Sequence, residues 1–400
     1  MNILKGILHP LMKVWIRCTA WLFFEKIIVR GRENLPKEGP VILASNHPNS
    51  FLDPLVITSL YKRPLYYLAR GDVFVSPFVS SILRFLNIVP IFRKQEGPEN
   101  FHKNAETFIF CKETFKKNGS IIIFSEGTSE NEWHLRSLRK GTARLTHEAW
   151  NDPAIGDKLK IVPIAIHYSS WLEIKSIVYV DFLPPLEKSQ FTNFEQGYFL
   201  KDFTDRLENT LKEKCAIVNK EKILEVQNIT TSFLLKNINM GNVYAIKALK
   251  SLTKEGRQVL EKFTALANYL KKEKIEYHPP SNFFYFLLSI PLYVIGLLLN
   301  AIPYSICRAI AKKTTHLNEF FDSVIYCTLL FFYPIYLLII VVLSVLLFHS
   351  SKYGLGIVVL TILSAKTYEW AKRNMITFLK KEHHGVISTM LQELFEVSND

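Results

Sequence analysis

The chain has 400 residues, of which 48% are hydrophobic and 21% charged, and its mean hydropathy is +0.11. This composition excludes a disordered chain, a collagen and a disulfide-stapled mini-protein, and leaves a soluble domain joined to something membrane-bound. Lys and Arg number 49 against 36 Asp and Glu, so the formal charge is +13, a balance that favours nucleic acid, anionic lipid or phosphorylated small molecules.

Residues 1–24 place Ile3, Leu4, Ile7, Leu8, Leu11, Trp15 and Ile16 at helical spacing, with Lys5, Lys13 and Arg17 interrupting any signal-peptide core. The segment reads as an amphipathic membrane-interface helix or as a helix packed on the next domain. Residues 25–192 alternate short β-rich runs (26–29, 40–44, 65–69, 120–124, 160–166 and 177–182) with helical stretches such as 101–117 and 141–150. Such alternation predicts an α/β fold, a mostly parallel sheet flanked by helices.

From 193 to 280 Lys and Glu become dense and apolar residues recur every three or four positions, which predicts amphipathic helices, for example 200–218 and 243–271. Residues 281–370 are expected to hold transmembrane helices. Residues 283–300 and 323–351 carry no Asp, Glu, Lys or Arg, and about 20 apolar residues suffice for one span. Residues 354–365 are shorter and read as a short or re-entrant span. Basic residues follow and separate these stretches, with Arg308, Lys312 and Lys313 read as a short loop, so the positive-inside rule does not fix the topology. Residues 371–400 are expected to be a cytoplasmic tail. The five cysteines, at 18, 111, 215, 307 and 327, form no CxxC pair and no cluster with metal spacing, so no disulfide framework and no metal site are expected.

Four short blocks carry candidate chemistry. In Asn46-His47-Pro48-Asn49-Ser50-Phe51-Leu52-Asp53 a strand runs into a helix start, a place where α/β sheets display reactive groups. A neutral His there can take a proton from an attacking hydroxyl, provided a carboxylate such as Asp53 fixes its tautomer. The run 88–92 ends in Arg93, a residue type that can hold phosphate bidentately. The strand ending at Phe124 enters Ser125-Glu126-Gly127-Thr128-Ser129, where glycine permits close approach of a ligand to the backbone. Beyond it, Arg136, Arg139 and Lys140 precede a helix start, a ready anion site. Pro163 interrupts the buried run 161–166, and a proline in a strand implies an edge, a bulge or a ligand-lining kink. Each block also has a plain structural reading as a cap, a surface arginine, a turn or core.

Together the four blocks, in this order over about 120 residues, resemble the PlsC-type glycerolipid acyltransferase family, with the likeness confined to roughly residues 25–190. The resemblance implies a membrane-bound enzyme of phospholipid biosynthesis that moves a fatty acyl group from acyl-CoA or acyl-carrier protein to 1-acylglycerol 3-phosphate, with glycerol 3-phosphate as the alternative acceptor. A catalytically silent lipid-binding protein is the other class to weigh. The resemblance implies His47 as general base, Asp53 as its partner, no covalent acyl-enzyme and no cofactor. It also places Asn46, Arg93, Glu126, Gly127, Thr128, Ser129, Lys140 and Pro163 at the substrate. The domain is expected on the cytoplasmic face of the bilayer, and no nucleic acid partner is expected. Two departures stand out. Five residues separate His47 from Asp53 where the family usually has four, and Ser129 stands where the family commonly has Arg. The phosphate contact of that Arg is then expected from Lys140 or Arg93.

Overall fold

A computed structural model of the chain describes residues 2–92, 103–131, 135–168, 176–215, 283–315 and 320–379. Its elements begin with helix α1 (Asn2–Phe23), followed by β1 (Lys26–Arg30), β2 (Val41–Ser45), α2 (Leu52–Leu60), β3 (Leu65–Arg70), α3 (Pro77–Phe85) and β4 (Ile88–Ile91). Then come α4 (Asn104–Lys116), β5 (Ser120–Phe124), α5 (Gly141–Trp150), β6 (Lys160–Tyr168), β7 (Ile177–Phe182) and α6 (Gln196–Lys212). Last are α7 (Phe283–Thr314), α8 (Phe321–Phe348) and α9 (Ser351–Leu379). The helix expected at 243–271, and the region 193–280 beyond residue 215, lie outside the described residues.

The chain divides into two compact units. One comprises the described residues within Met1–Arg17, Ile28–His167 and Tyr179–Ala216, and the other those within Cys18–Ile27, Tyr168–Val178 and Ile217–Asp400.

The sheet order is β1-β7-β6-β2-β5-β3-β4, in which β2 runs parallel to β6 and β5, and β3 parallel to β5 and β4. The centre of the sheet is dictated by its sequence. Val41-Ile-Leu-Ala and Ile121-Ile-Ile are runs rich in β-branched residues, stiff at χ1 and suited to a pleated surface, and strands covered on both faces read as continuous apolar runs. Residues 41–45 of β2 are all buried. On one side the sheet meets α5 and α6 through an aromatic cluster in which Trp150 lies 5.3 Å from Phe191, 5.8 Å from Phe199 and 5.9 Å from Phe203 by ring centroid. The indole Nε1 donates to the carbonyl of Leu159 at 3.0 Å, so its one polar atom is satisfied within that core.

Strand β4 falls inside the run singled out at 88–92, which is not among the β-rich runs expected to be strands. Pro163 differs from its sequence reading as well. It sits in β6 opposite Ala44, between β7 and β2, and is neither at an edge nor exposed. Its carbonyl accepts from the N–H of Leu183 at 2.9 Å, so only the missing donor is lost from the ladder.

In the second unit, α7 and α8 are long and apolar enough to cross a membrane. They present Phe284, Leu298, Phe331 and Leu347 at 68–72% exposure, the reverse of core helices in a water-soluble protein. Arg308, Lys312 and Lys313 lie on the last turns of α7 rather than in a loop, because Pro291 and Pro303 are both carried inside that helix. The stretch 354–365 is one part of the 29-residue helix α9, which continues past the boundary expected at 370. Lys366 also belongs to α9. Its Nζ donates to the carbonyls of Trp21 at 2.7 Å, Phe24 at 2.9 Å and Glu25 at 3.2 Å, placing a cation on the carbonyl end of α1.

Trp150→Ala is expected to destabilise the purified full chain by about 3–5 kcal/mol through the cavity it leaves. The check is the denaturation midpoint in detergent, and a midpoint equal to that of the wild type would remove the aromatic cluster from the account of the fold.

Candidate active site

The functional residues gather at the carboxyl ends of neighbouring parallel strands, where an α/β sheet leaves backbone unpaired and open to ligands. Strand β2 ends at Ser45 and is followed by a loop that reaches α2 at Leu52. The loop is pinned at its first residue. Asn46 donates from Nδ2 to the carbonyl of Ile166 at 3.0 Å and accepts from its N–H through Oδ1 at 2.8 Å, so a side-chain amide continues the β2–β6 ladder for one more step. Asn46, expected at the substrate, is thus committed to the fold.

His47 then leaves the sheet with its side chain 17% exposed, stacked on Phe124 at 4.0 Å between centroids. Its Nδ1 donates to Oδ2 of Asp53 at 2.7 Å, and the same oxygen accepts from the N–H of Asn49 at 2.8 Å. Asp53 is fully buried in the first turn of α2. Leu52 N–H donates to the carbonyl of Asn49 at 2.9 Å, and this starts the helix early enough for Asp53 to face back towards the ring. With Nδ1 occupied by a carboxylate, Nε2 is the unprotonated nitrogen, and no described residue bonds to it. A histidine held in that tautomer beneath a partly open surface can accept a proton from an alcohol and return it.

Strand β5 ends beside β2 and feeds the Glu126–Ser129 turn. Gly127 has φ +75°, and a Cβ there would come within 3.0 Å of Cγ of Arg139, so the turn needs glycine. Glu126 is buried. One carboxylate oxygen accepts from the N–H of His47 at 3.1 Å and from the Arg136 guanidinium at 2.7 Å, while the other accepts from the N–H of Arg136 at 3.1 Å. Arg136 also donates to Oγ1 of Thr128 at 2.7 Å, to the Thr128 carbonyl and to the carbonyl of His47 at 3.4 Å. Burial pushes the Glu126 carboxyl above the usual carboxylate range, against the pull of the Arg136 charge and of the N–H groups of Arg136 and His47. Ser129 accepts from the N–H of Ser50 at 2.6 Å, a second tie between the two loops.

The sequence thus brings His47, Asp53, Asn46, Glu126, Gly127, Thr128 and Ser129 together, while Pro163 is buried in β6 one strand away from β5. Arg93 lies outside the described residues. Lys140 is exposed at the start of α5, next to exposed Arg139, and neither side chain has an acidic partner among the described residues. Arg136 is the residue that sequence reasoning missed. The sequence groups it with those two as an anion site at a helix start, and the signal available is its place ten residues after a glutamate that has to be buried at a strand end.

Behind the loop, His167 near the end of β6 is buried with no partner for Nε2 among the described residues, and burial depresses its pKa to about 4, against the charge of Asp181, the backbone of Lys214 and the charge of Asp53.

The family model "Acyltransferase" matches residues 26–167. A 1-acyl-sn-glycerol-3-phosphate acyltransferase of Borreliella burgdorferi is 24% identical over 209 residues, 50% of this chain and 78% of that protein. A chloroplastic 1-acyl-sn-glycerol-3-phosphate acyltransferase of Arabidopsis thaliana is 31% identical over 134 residues, 33% of this chain and 35% of that protein. The solved structure of PlsC, a 1-acyl-sn-glycerophosphate acyltransferase from Thermotoga maritima, aligns at 21% identity with a TM-score of 0.38, covering 54% of this chain and 83% of that one. Residues 26–167 are therefore an acyltransferase domain, and the chain is an O-acyltransferase. That domain, with the relatives it matches, supports the PlsC-type glycerolipid acyltransferase resemblance that its four sequence blocks implied.

Two measurements check the geometry. Glu126→Gln keeps the shape but turns an amide N–H₂ towards groups that are themselves donors. It is expected to lower acyl-transfer kcat at least about tenfold, since positioning errors of this kind are costly. An unchanged kcat would show that the tie does not orient His47. For His167 the folded-state pKa lies below the unfolded value of about 6.5. Its contribution to stability is therefore complete above that pH and is lost as pH falls through about 4. Wild-type denaturation midpoints should fall between about pH 6.5 and 4, by up to about 3 kcal/mol. His167→Gln should flatten that decline, and an equally steep fall in the variant would assign it to other groups.

Proposed function

We propose that this protein transfers a fatty acyl group from a thioester donor to the free hydroxyl of 1-acylglycerol 3-phosphate, giving phosphatidic acid. The observation that carries the reading is the His47–Asp53 pair with Nε2 left open, inside a domain matched by relatives named for that reaction. The acceptor hydroxyl gives its proton to Nε2 as its oxygen attacks the thioester carbonyl. The tetrahedral intermediate collapses, the carbon–sulfur bond breaks, and the imidazolium, stabilised by Asp53, returns the proton to the departing thiolate. No serine or cysteine nucleophile is needed, because the acceptor itself attacks.

Oxyanion donors are assigned to the turn after β5. The N–H groups of His47, Asn49 and Ser50 are already spent on Glu126, Asp53 and Ser129, whereas those of Thr128 and Ser129 bond to no described residue. The acceptor phosphate is assigned to Lys140 and Arg139 at the start of α5, with Arg93 as a further candidate. Glu126, Arg136 and Asn46 hold the loops and do not meet the substrate.

The first unit meets lipid through the exposed Ile7, Leu11 and Val14 of α1 and the exposed Phe78 and Ile82 of α3. His9 ties these helices together at 2.8 Å, through Nε2 and the carbonyl of Phe85. Lys13, bonded at 2.7 Å to the carbonyl of Lys62, and Arg17 add charge suited to an anionic surface. We place the domain on the cytoplasmic face, where acyl-CoA or acyl-carrier protein would reach it.

The experiment is radiolabelled acyl transfer by purified full chain in detergent, offering each donor with lysophosphatidic acid and with glycerol 3-phosphate. Label is expected in phosphatidic acid, with His47→Ala and Asp53→Asn each lower by roughly 10²–10⁴. The five-residue spacing between His47 and Asp53 favours one second reading: label in lysophosphatidic acid made from glycerol 3-phosphate. Equal, unlabelled backgrounds for wild type and His47→Ala would end both.

A further inference from the structure

The second unit holds a pocket of about 110 Å³ among α7, α8, α9 and the last turn of α1, lined by Phe23, Gly296, Asn300, Tyr304, Tyr333 and Tyr368 among others. That is smaller than the pocket of a drug-sized ligand and suits part of one hydrocarbon chain. Its wall is almost wholly hydrocarbon, because its most polar side chain is already consumed. Asn300 donates from Nδ2 to the carbonyls of Gly296 at 3.2 Å and Thr361 at 3.3 Å and to Oγ of Ser364 at 3.1 Å, and accepts the Tyr333 hydroxyl at 2.8 Å. A polar cluster that spends itself in this way between apolar helices braces the wall and offers a ligand no unmet hydrogen bond.

Gly296, Asn300 and Tyr304 stand four residues apart on α7, each beside the next on the helix surface, and Arg308 continues the row one turn further. Arg308 donates from its guanidinium to the Tyr304 hydroxyl at 3.4 Å. It is exposed and has no carboxylate partner among the described residues. A cation thus stands at the end of a row that begins in an apolar pocket.

We propose that this pocket is a second lipid site, separate from the acyl-transfer residues, that holds one acyl chain of an anionic glycerophospholipid with its phosphate on Arg308. Hydrocarbon suits the satisfied wall, a phosphate suits the guanidinium, and the exposed apolar faces of α7 and α8 call for a bilayer in which both are supplied by one molecule. The site rests on the membrane reading of α7 and α8 and is independent of the acceptor at His47.

The test uses full chain reconstituted in phosphatidylcholine vesicles containing a trace of phosphatidylglycerol or phosphatidylcholine with a photoactivatable diazirine on one acyl chain. Protein that floats with the vesicles is irradiated and its labelled peptides are mapped. Label from the anionic probe is expected on peptides spanning 296–304 and 329–333, about fivefold above the zwitterionic probe. Ala301→Trp, which fills the pocket, should remove that label while leaving label on the outer faces. Arg308→Gln, a surface change that does not touch the core, should equalise the two probes. Label spread evenly over the outer faces and indifferent to both variants would overturn the site while leaving the membrane reading intact. Failure of the wild type to float would overturn the membrane reading and the site with it.

Discussion

A buried carboxylate holds the active site together. Glu126 sits where the turn after β5 meets the loop after β2, and its two oxygens take three donors, two from Arg136 and one from the backbone of His47. An isolated buried charge is costly, and removing one partner of such a pair leaves the other uncompensated. The Arg136 guanidinium is therefore fixed by necessity, and in being fixed it gathers Thr128 and the carbonyl of His47. Two stretches far apart in sequence, around position 47 and from 126 to 136, become one rigid surface. The His47 ring inherits its place from that surface, from Phe124 beneath it and from Asp53 behind it.

Around this hub a division of labour follows from hydrogen-bond accounting. The amides of the His47 loop are used to hold the loop, so they cannot also receive developing charge. The groups left open are Nε2 of His47, the turn amides after Gly127 and the cations at the start of α5. A proton acceptor, oxyanion donors and a phosphate contact are the three things an acyl transfer to a phosphorylated alcohol asks of a protein. Rigid support lies inward and reactive capacity outward, because a buried polar group has to be paired and an exposed one need not be.

Much of this was legible in the sequence. Strand positions followed from runs such as 121–123, and the order of the four blocks gave His47, Asp53 and the Glu126 turn. What could not be read was direction. Glu126 and Asn46 look like substrate contacts because polar residues at strand ends often are, and only coordinates show that both turn inward to backbone. Arg136 was visible as one of three basic residues, yet nothing local separates a cation that closes a buried pair from two that face solvent. Pro163 misled for a related reason. The rule that places prolines at edges concerns the lost donor, and here the remaining acceptor finds Leu183 in the middle of a sheet. In the second unit, hydropathy showed α7 and α8 but only 354–365 of α9, because Lys352 and Lys366 bound its apolar stretch.

Lys366 has a consequence in time as well as in space. The carbonyls it covers belong to residues 21–25, and it lies 345 positions after Trp21. At a synthesis rate of roughly 5–20 residues per second, the end of the first helix waits about 20–70 s for its cation after leaving the catalytic centre of the ribosome. The second unit therefore closes only after residue 366 has been made. A nascent chain is obliged to carry its first helix incomplete through the making of everything between, and a fragment that stops short of residue 366 never completes it.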